Sequence, residues 1–77
     1  MGKVILITGA TSGLGKACAE YLSERGLIVY GTGRRAMPET GSVKHLQMDV
    51  TDPDSVKQAI EKVIAEQGHI DVVVNNA

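Results

Sequence analysis

Val4-Ile5-Leu6-Ile7-Thr8-Gly9-Ala10-Thr11-Ser12-Gly13-Leu14-Gly15 decides the fold. Four apolar residues run directly into a glycine-punctuated turn, and a helical pattern starts at the last glycines. A segment apolar at every position suits a strand buried on both faces, the centre of a parallel sheet. The glycines have a steric reason. A strand-to-helix turn needs backbone conformations that a β-carbon resists, and a diphosphate can lie against main chain only where no side chain stands in the way. The helix behind such a turn directs free N–H groups and the positive end of its dipole at the anion. Strand, tight turn and helix in this order are how α/β proteins hold nucleotide phosphates.

Outward from this stretch, Leu14, Ala17, Cys18, Tyr21 and Leu22 recur at helical spacing and predict the face packed on the sheet, with Glu20, Glu24 and Arg25 outside and Gly26 as the stop. Cys18 on that face reads as a small buried hydrophobe, not a reactive thiol. Lys16 reads either as a phosphate contact or as a solvated side chain. Leu27 to Thr32 is a second β-rich segment, so strand, helix and strand form a right-handed parallel unit. Val43 to Val50 alternates loosely, Leu46, Met48 and Val50 on one side and His45, Gln47 and Asp49 on the other, as in a half-polar strand near a sheet edge. His45 reads as a surface residue. Thr51-Asp52-Pro53-Asp54-Ser55 starts a helix, with either Asp52 as N-cap before Pro53 or Thr51 and Asp54 as a capping box. Val56, Ala59, Ile60, Val63 and Ile64 form its buried stripe, and Gly68 ends it. Ile70 to Val74 is a further strand that reads as buried on both faces. With nothing beside it, Val72-Val73-Val74 is an apolar sheet edge that needs a cover.

The residues after the second strand carry the next piece of chemistry. In dinucleotide-binding folds an acid about 20 residues past the glycines bonds the adenosine ribose of NAD, whereas arginine suits the 2′-phosphate of NADP. Here Gly33 stands where the acid is expected, and Arg34 and Arg35 follow. A carboxylate would repel the phosphate, and a guanidinium can fork onto it. The competing reading is a solvated pair of loop arginines.

The turn departs from the common G-x-G-x-x-G spacing. Thr8-Gly9-Ala10-Thr11-Ser12-Gly13-Leu14-Gly15 instead resembles the T-G-x-x-x-G-[IL]-G signature of the short-chain dehydrogenase/reductase family. Asp49-Val50 and Asn75-Asn76-Ala77 resemble two further motifs of that family, in its order and spacing. The resemblance implies a Rossmann-type doubly wound parallel α/β sheet, here in part, with strand order 3-2-1-4. Residues 1–77 would be the N-terminal part of a single NAD(P)-binding domain, truncated after the fourth strand. It also implies a cofactor site made of Gly9, Thr11, Ser12, Gly13, Leu14 and Gly15 at the diphosphate. Arg34 and Arg35 would lie at the 2′-phosphate, Asp49 and Val50 at the adenine, and Asn76 with Ala77 by the ribose. For Asp49 the competing reading is a strand-end residue bonding the next turn. The cofactor is expected to be NADP, with NAD second. The reaction implied is hydride transfer between NADP(H) and a small carbonyl or alcohol substrate. The Ser, Tyr and Lys that carry it in the family lie past residue 77, so no catalytic residue is named here.

Other functions are weaker. A sensor or scaffold that binds NAD(P) without chemistry needs the same fold. A P-loop phosphotransferase would match Ala10 to Ala17 only with Ala10 in place of the first glycine and Ala17 in place of the magnesium-binding hydroxyl. The chain has 77 residues, 43% hydrophobic and 22% charged, with net charge −1. Scattered, balanced charges argue against nucleic acid, and no apolar run approaches a membrane span. A start that feeds directly into a strand and a single cysteine fit a cytoplasmic protein without signal peptide or disulfide. No metal site is expected. Expected partners are the remaining half of the fold and further copies of the same protein.

Overall fold

A computed structural model describes residues 2–10, 13–34 and 43–75. The elements run β1 (Val4–Thr8), α1 (Gly13–Glu24), β2 (Ile28–Gly33), β3 (Lys44–Gln47), α2 (Pro53–Gln67) and β4 (Val72–Asn75). The four strands form one parallel sheet in the order β3-β2-β1-β4. All five residues of β1 are buried, as a central strand requires.

The alternation of β1 divides the core. Val4 and Leu6 join Tyr30, Leu46, Met48, Ala59 and Val63 beneath α2. Ile5 and Ile7 join Ala10, Ala19, Val29 and Val43 beneath α1. One helix therefore covers each face, which is the doubly wound arrangement. Each fully buried aliphatic side chain in such a layer contributes about 1.5–3 kcal/mol.

Tyr30 anchors α2 by its polar tip as well as its ring. Its hydroxyl donates to Glu66 Oε1 at 2.6 Å and accepts from Gln67 Nε2 at 3.0 Å, at the end of the helix. Of the two possible starts for α2, the structure has Asp52 as N-cap, accepting from the Asp54 amide at 3.0 Å, with Pro53 in the first turn. At the other end Gly68, at φ 87°, closes the helix through its amide to the Ile64 carbonyl.

Three sequence expectations are corrected. The buried face of α1 is turned by about one residue. Gly15, Ala19 and Ser23 are buried and Cys18 and Leu22 partly so, whereas Leu14 and Tyr21 are 79% and 53% exposed. Small residues at i, i+4 and i+8 bring the helix close to the strands, and the larger Leu14 and Tyr21 fall outside; the Tyr21 ring lies 4.5 Å from the Arg25 guanidinium. The regular part of β3 ends at Gln47, because the chain beyond it turns around Asp49. His45, expected at the surface, is half-buried, and its Nδ1 is buried without a hydrogen-bond partner among the described residues.

β4, expected to be buried on both faces, is an edge strand here and largely exposed. Val72 and Val73 are 42% and 57% exposed, and Val74 packs partly under α1. Both ends of β4 are tied to β1. Asp71 donates its amide to the Val4 carbonyl at 2.9 Å and accepts the Val4 amide on Oδ2 at 2.7 Å. At the opposite end the Thr8 hydroxyl lies 3.1 Å from Asn75 Oδ1 and 3.4 Å from the Val74 carbonyl.

Candidate functional site

The carboxyl ends of the parallel strands, the start of α1, Arg34 and the turn after β3 lie at one edge of the sheet. The step from β3 to β4 crosses from one side of β1 to the other. The carboxyl end of β1 and β4 is thus the topological switch point, where ligands of such sheets bind.

The turn after β1 is shaped by backbone that only glycine adopts freely. Gly9 and Gly13 have φ of 67° and 63°. A β-carbon on Gly13 would meet no described atom within 4 Å, so its need for glycine is conformational and the space above it is open. Ala10 is fully buried, and its amide is held by the Thr32 carbonyl at 2.9 Å. Gly31 of β2 passes so close that a β-carbon there would sit 2.8 Å from the Ala10 Cβ. The turn therefore rests on β2 as well as on β1. The first turn of α1 carries no acidic side chain, which leaves the positive end of its dipole unopposed.

Arg34 follows β2, with its side chain 74% exposed. Its Nε is 4.0 Å from Asp49 Oδ1, a long and exposed ion pair of small energetic weight. Asp49 is fixed mainly by its own turn. Oδ1 accepts from the Thr51 amide at 2.9 Å and the Thr51 hydroxyl at 2.7 Å, while the Asp49 amide donates to Ser55 Oγ at 2.9 Å. The Thr51 bonds hold the Asp49 carboxyl below its ordinary pKa against the opposing effect of desolvation, and the Arg34 charge adds the smallest contribution. Asp49 is therefore an oriented anion at neutral pH. Val50 next to it is 46% exposed, and Leu14 at the start of α1 more so, which places bare apolar side chains at the same edge as the glycine turn.

The structure thus places Gly9, Gly13, Leu14, Gly15, Arg34, Asp49 and Val50 at this end of the sheet. Thr11, Ser12, Arg35, Asn76 and Ala77 lie outside the described residues. The competing reading of Asp49, a strand-end residue bonding the next turn, is met by its bonds to Thr51; sequence reading missed Ser55, which accepts the Asp49 amide, and Gln47, whose side chain bonds the Arg34 carbonyl at 3.0 Å. Thr51 was legible as the partner of an Asx-type turn two residues on. Gln47 was not, because its pairing depends on strand register. Among the described residues no group of His, Cys, Asp or Glu could hold a metal, and no helix is long and apolar enough to cross a membrane.

Sheet order, crossover and glycine turn define a Rossmann-type α/β unit. Within that class the chain belongs to the short chain dehydrogenase family, whose profile matches residues 3–77. It is 55% identical over 75 residues to 3-ketodihydrosphingosine reductase of Bacteroides thetaiotaomicron, covering 97% of this chain and 28% of that protein. It is 43% identical over 83 residues to the 3-oxoacyl-(acyl-carrier-protein) reductase FabG of Escherichia coli, covering 99% and 34%. Among solved structures, ligand-free aldohexose dehydrogenase (AldT) of Thermoplasma acidophilum superimposes with a TM-score of 0.90 at 39% identity, over 99% of this chain and 29% of that one. An NADH-dependent reductase, A1-R', complexed with NAD, gives 0.88 at 28% identity, over 99% and 36%. The chain spans about a third of the length of these relatives.

Proposed function

We infer that residues 1–77 are the N-terminal, NADP-binding part of a single Rossmann-type domain in a short-chain oxidoreductase that moves a hydride between NADP(H) and a carbonyl or alcohol substrate. Family membership supports the reaction class, and the observation that carries the cofactor choice is Arg34, exposed after β2 where Gly33 replaces an acid. The cofactor, when bound, supplies the hydride acceptor or donor. The chain's own residues bind and orient it.

In this reading Gly9, Thr11, Ser12, Gly13, Leu14 and Gly15 receive the diphosphate on bare main chain at the start of α1. Arg34, supported by Arg35, forks onto the 2′-phosphate. Asp49 accepts from the adenine amino group while Val50 covers the ring. Asn76, with Ala77, lies beside the ribose and can donate and accept at once. Substrate, the remaining half of the fold and other copies of the same protein complete the set of partners, in the cytoplasm.

The test is titration of the intact protein with NADP and NAD. Arg34→Asp is expected to weaken NADP more than tenfold, since a hydrogen bond to a charged group contributes ~1.5–3 kcal/mol and the new repulsion adds to the loss. NAD affinity should change far less. Equal affinities of the wild type for the two cofactors would overturn the assignment.

A further inference from the structure

The last main-chain rung between β2 and β3 is the Met48 amide on the Gly33 carbonyl, at 2.7 Å. At Arg34 the chain leaves the sheet. Its carbonyl still has a partner on β3, because Gln47 Nε2 donates to it at 3.0 Å. The glutamine side chain thus supplies one more rung where the main-chain ladder has ended. The guanidinium of the same residue lies near the turn after β3, with Nε 4.0 Å from Asp49 Oδ1.

Gln47 is exposed, so core packing does not explain its place. Its amide can donate to a carbonyl without carrying charge. Glutamate there would offer no donor at neutral pH and would repel an anion. Lysine would add a second cation to the site. A phosphate captured by a guanidinium on a loose segment must order the main chain as well as the side chain, and that ordering weakens binding. With the Gln47 rung in place, the Arg34 peptide is ordered before any ligand arrives.

We propose that Gln47 is a positioning residue for Arg34: it pins the peptide from which the guanidinium springs and so sets how strongly the site prefers a cofactor carrying a 2′-phosphate. This rests on the reading of Arg34 given above. NAD, without that phosphate, makes no demand on the rung.

Gln47→Met keeps the length and removes the donor. Arg34→Ser and the double variant complete the set. In the intact protein, kcat and KM are measured with NADP and with NAD, together with inhibition by 2′-AMP and 5′-AMP. Gln47→Met is expected to lower the NADP-over-NAD preference about three- to five-fold, the size of one exposed hydrogen bond. The change should lie in KM for NADP and weaken 2′-AMP more than 5′-AMP. In the Arg34→Ser background the same substitution should give no further loss, because Gln47 acts through Arg34. An unchanged preference in Gln47→Met beside a large change in Arg34→Ser overturns the positioning role and leaves the Arg34 reading standing. A loss that persists in the double variant also overturns it. An unchanged preference in Arg34→Ser removes the Arg34 reading and this inference together.

Discussion

Gly31→Ala tests whether the glycine turn rests on β2. The new β-carbon would lie 2.8 Å from the Ala10 Cβ, with Val43 Cγ1 at 3.6 Å and His45 Nδ1 at 3.7 Å closing the other sides. Carbon atoms in contact prefer about 3.5–4.0 Å, so roughly an ångström must be found. Ala10 has no torsion that could move its methyl aside, and it is fully buried. The main chain has to give, at a residue whose amide is bonded to Thr32 and which follows Gly9 in the turn. Overpacking of this kind costs about 1–3 kcal/mol. In a domain of 150–250 residues each kcal/mol lowers Tm by about 2–4 °C. The expected loss for the intact protein is about 2–12 °C by calorimetry. Ala10→Gly alone should cost about 0.5–1 kcal/mol through backbone freedom. Combined with Gly31→Ala it vacates the contested space, so the double variant should lose less than the sum of the two single losses and regain up to about 2.5 kcal/mol over Gly31→Ala. Additive losses, or a Gly31→Ala protein that melts with the wild type, would refute the reasoning.

Asp71 predicts a pH effect. The Val4 amide, more than the charge of His69 whose Nε2 is 3.0 Å away, holds its carboxyl below the ordinary 3.8. A lowered folded-state value means stability that is complete above the ordinary value and disappears as pH falls through the folded one. Melting should therefore drop more steeply below about pH 4 in the wild type than in Asp71→Asn, and parallel curves would contradict this. Tyr30→Phe removes the hydroxyl held by Glu66 and Gln67; both partners can reach water, so denaturant titration should show a loss of only about 1 kcal/mol, against about 3–5 kcal/mol for Tyr30→Ala. Residues 1–77 prepared alone should self-associate through β4, and Val73→Lys should reduce this in sedimentation; a monomeric wild-type fragment at the same concentration would count against the exposed edge as the cause.

Elements were legible where pattern and local chemistry agree. The apolar run of β1, the α2 stripe of Val56, Ala59, Ile60 and Val63 and its Gly68 stop all follow from local sequence, whereas Ile64, expected in that stripe, is 46% exposed; the sheet order follows once the family's motifs are aligned. The face of α1 was misjudged because hydrophobicity weighs Leu14 and Tyr21 above Gly15, Ala19 and Ser23. Closeness of helix to strand decided instead, and small residues permit it. Around the candidate site, Gly9 and Gly13 were readable as turn glycines, as their positive φ shows. The ties that orient them were not. Gly31 against Ala10, Gln47 against the Arg34 carbonyl and Thr8 against Asn75 each join residues that only the strand register brings together.

The double tie of β4 has a mechanical consequence. A parallel strand that slips by one position exchanges its two faces. For β4 such a slip would have to release the Asp71 clasp at one end and the Thr8 latch at the other in the same event, because both are keyed to β1. The strand is therefore indexed like a ruler with a stop at each end. Whatever the chain does after Asn75, it departs from a height above the glycine turn that was set at Asp71, on the far side of the sheet.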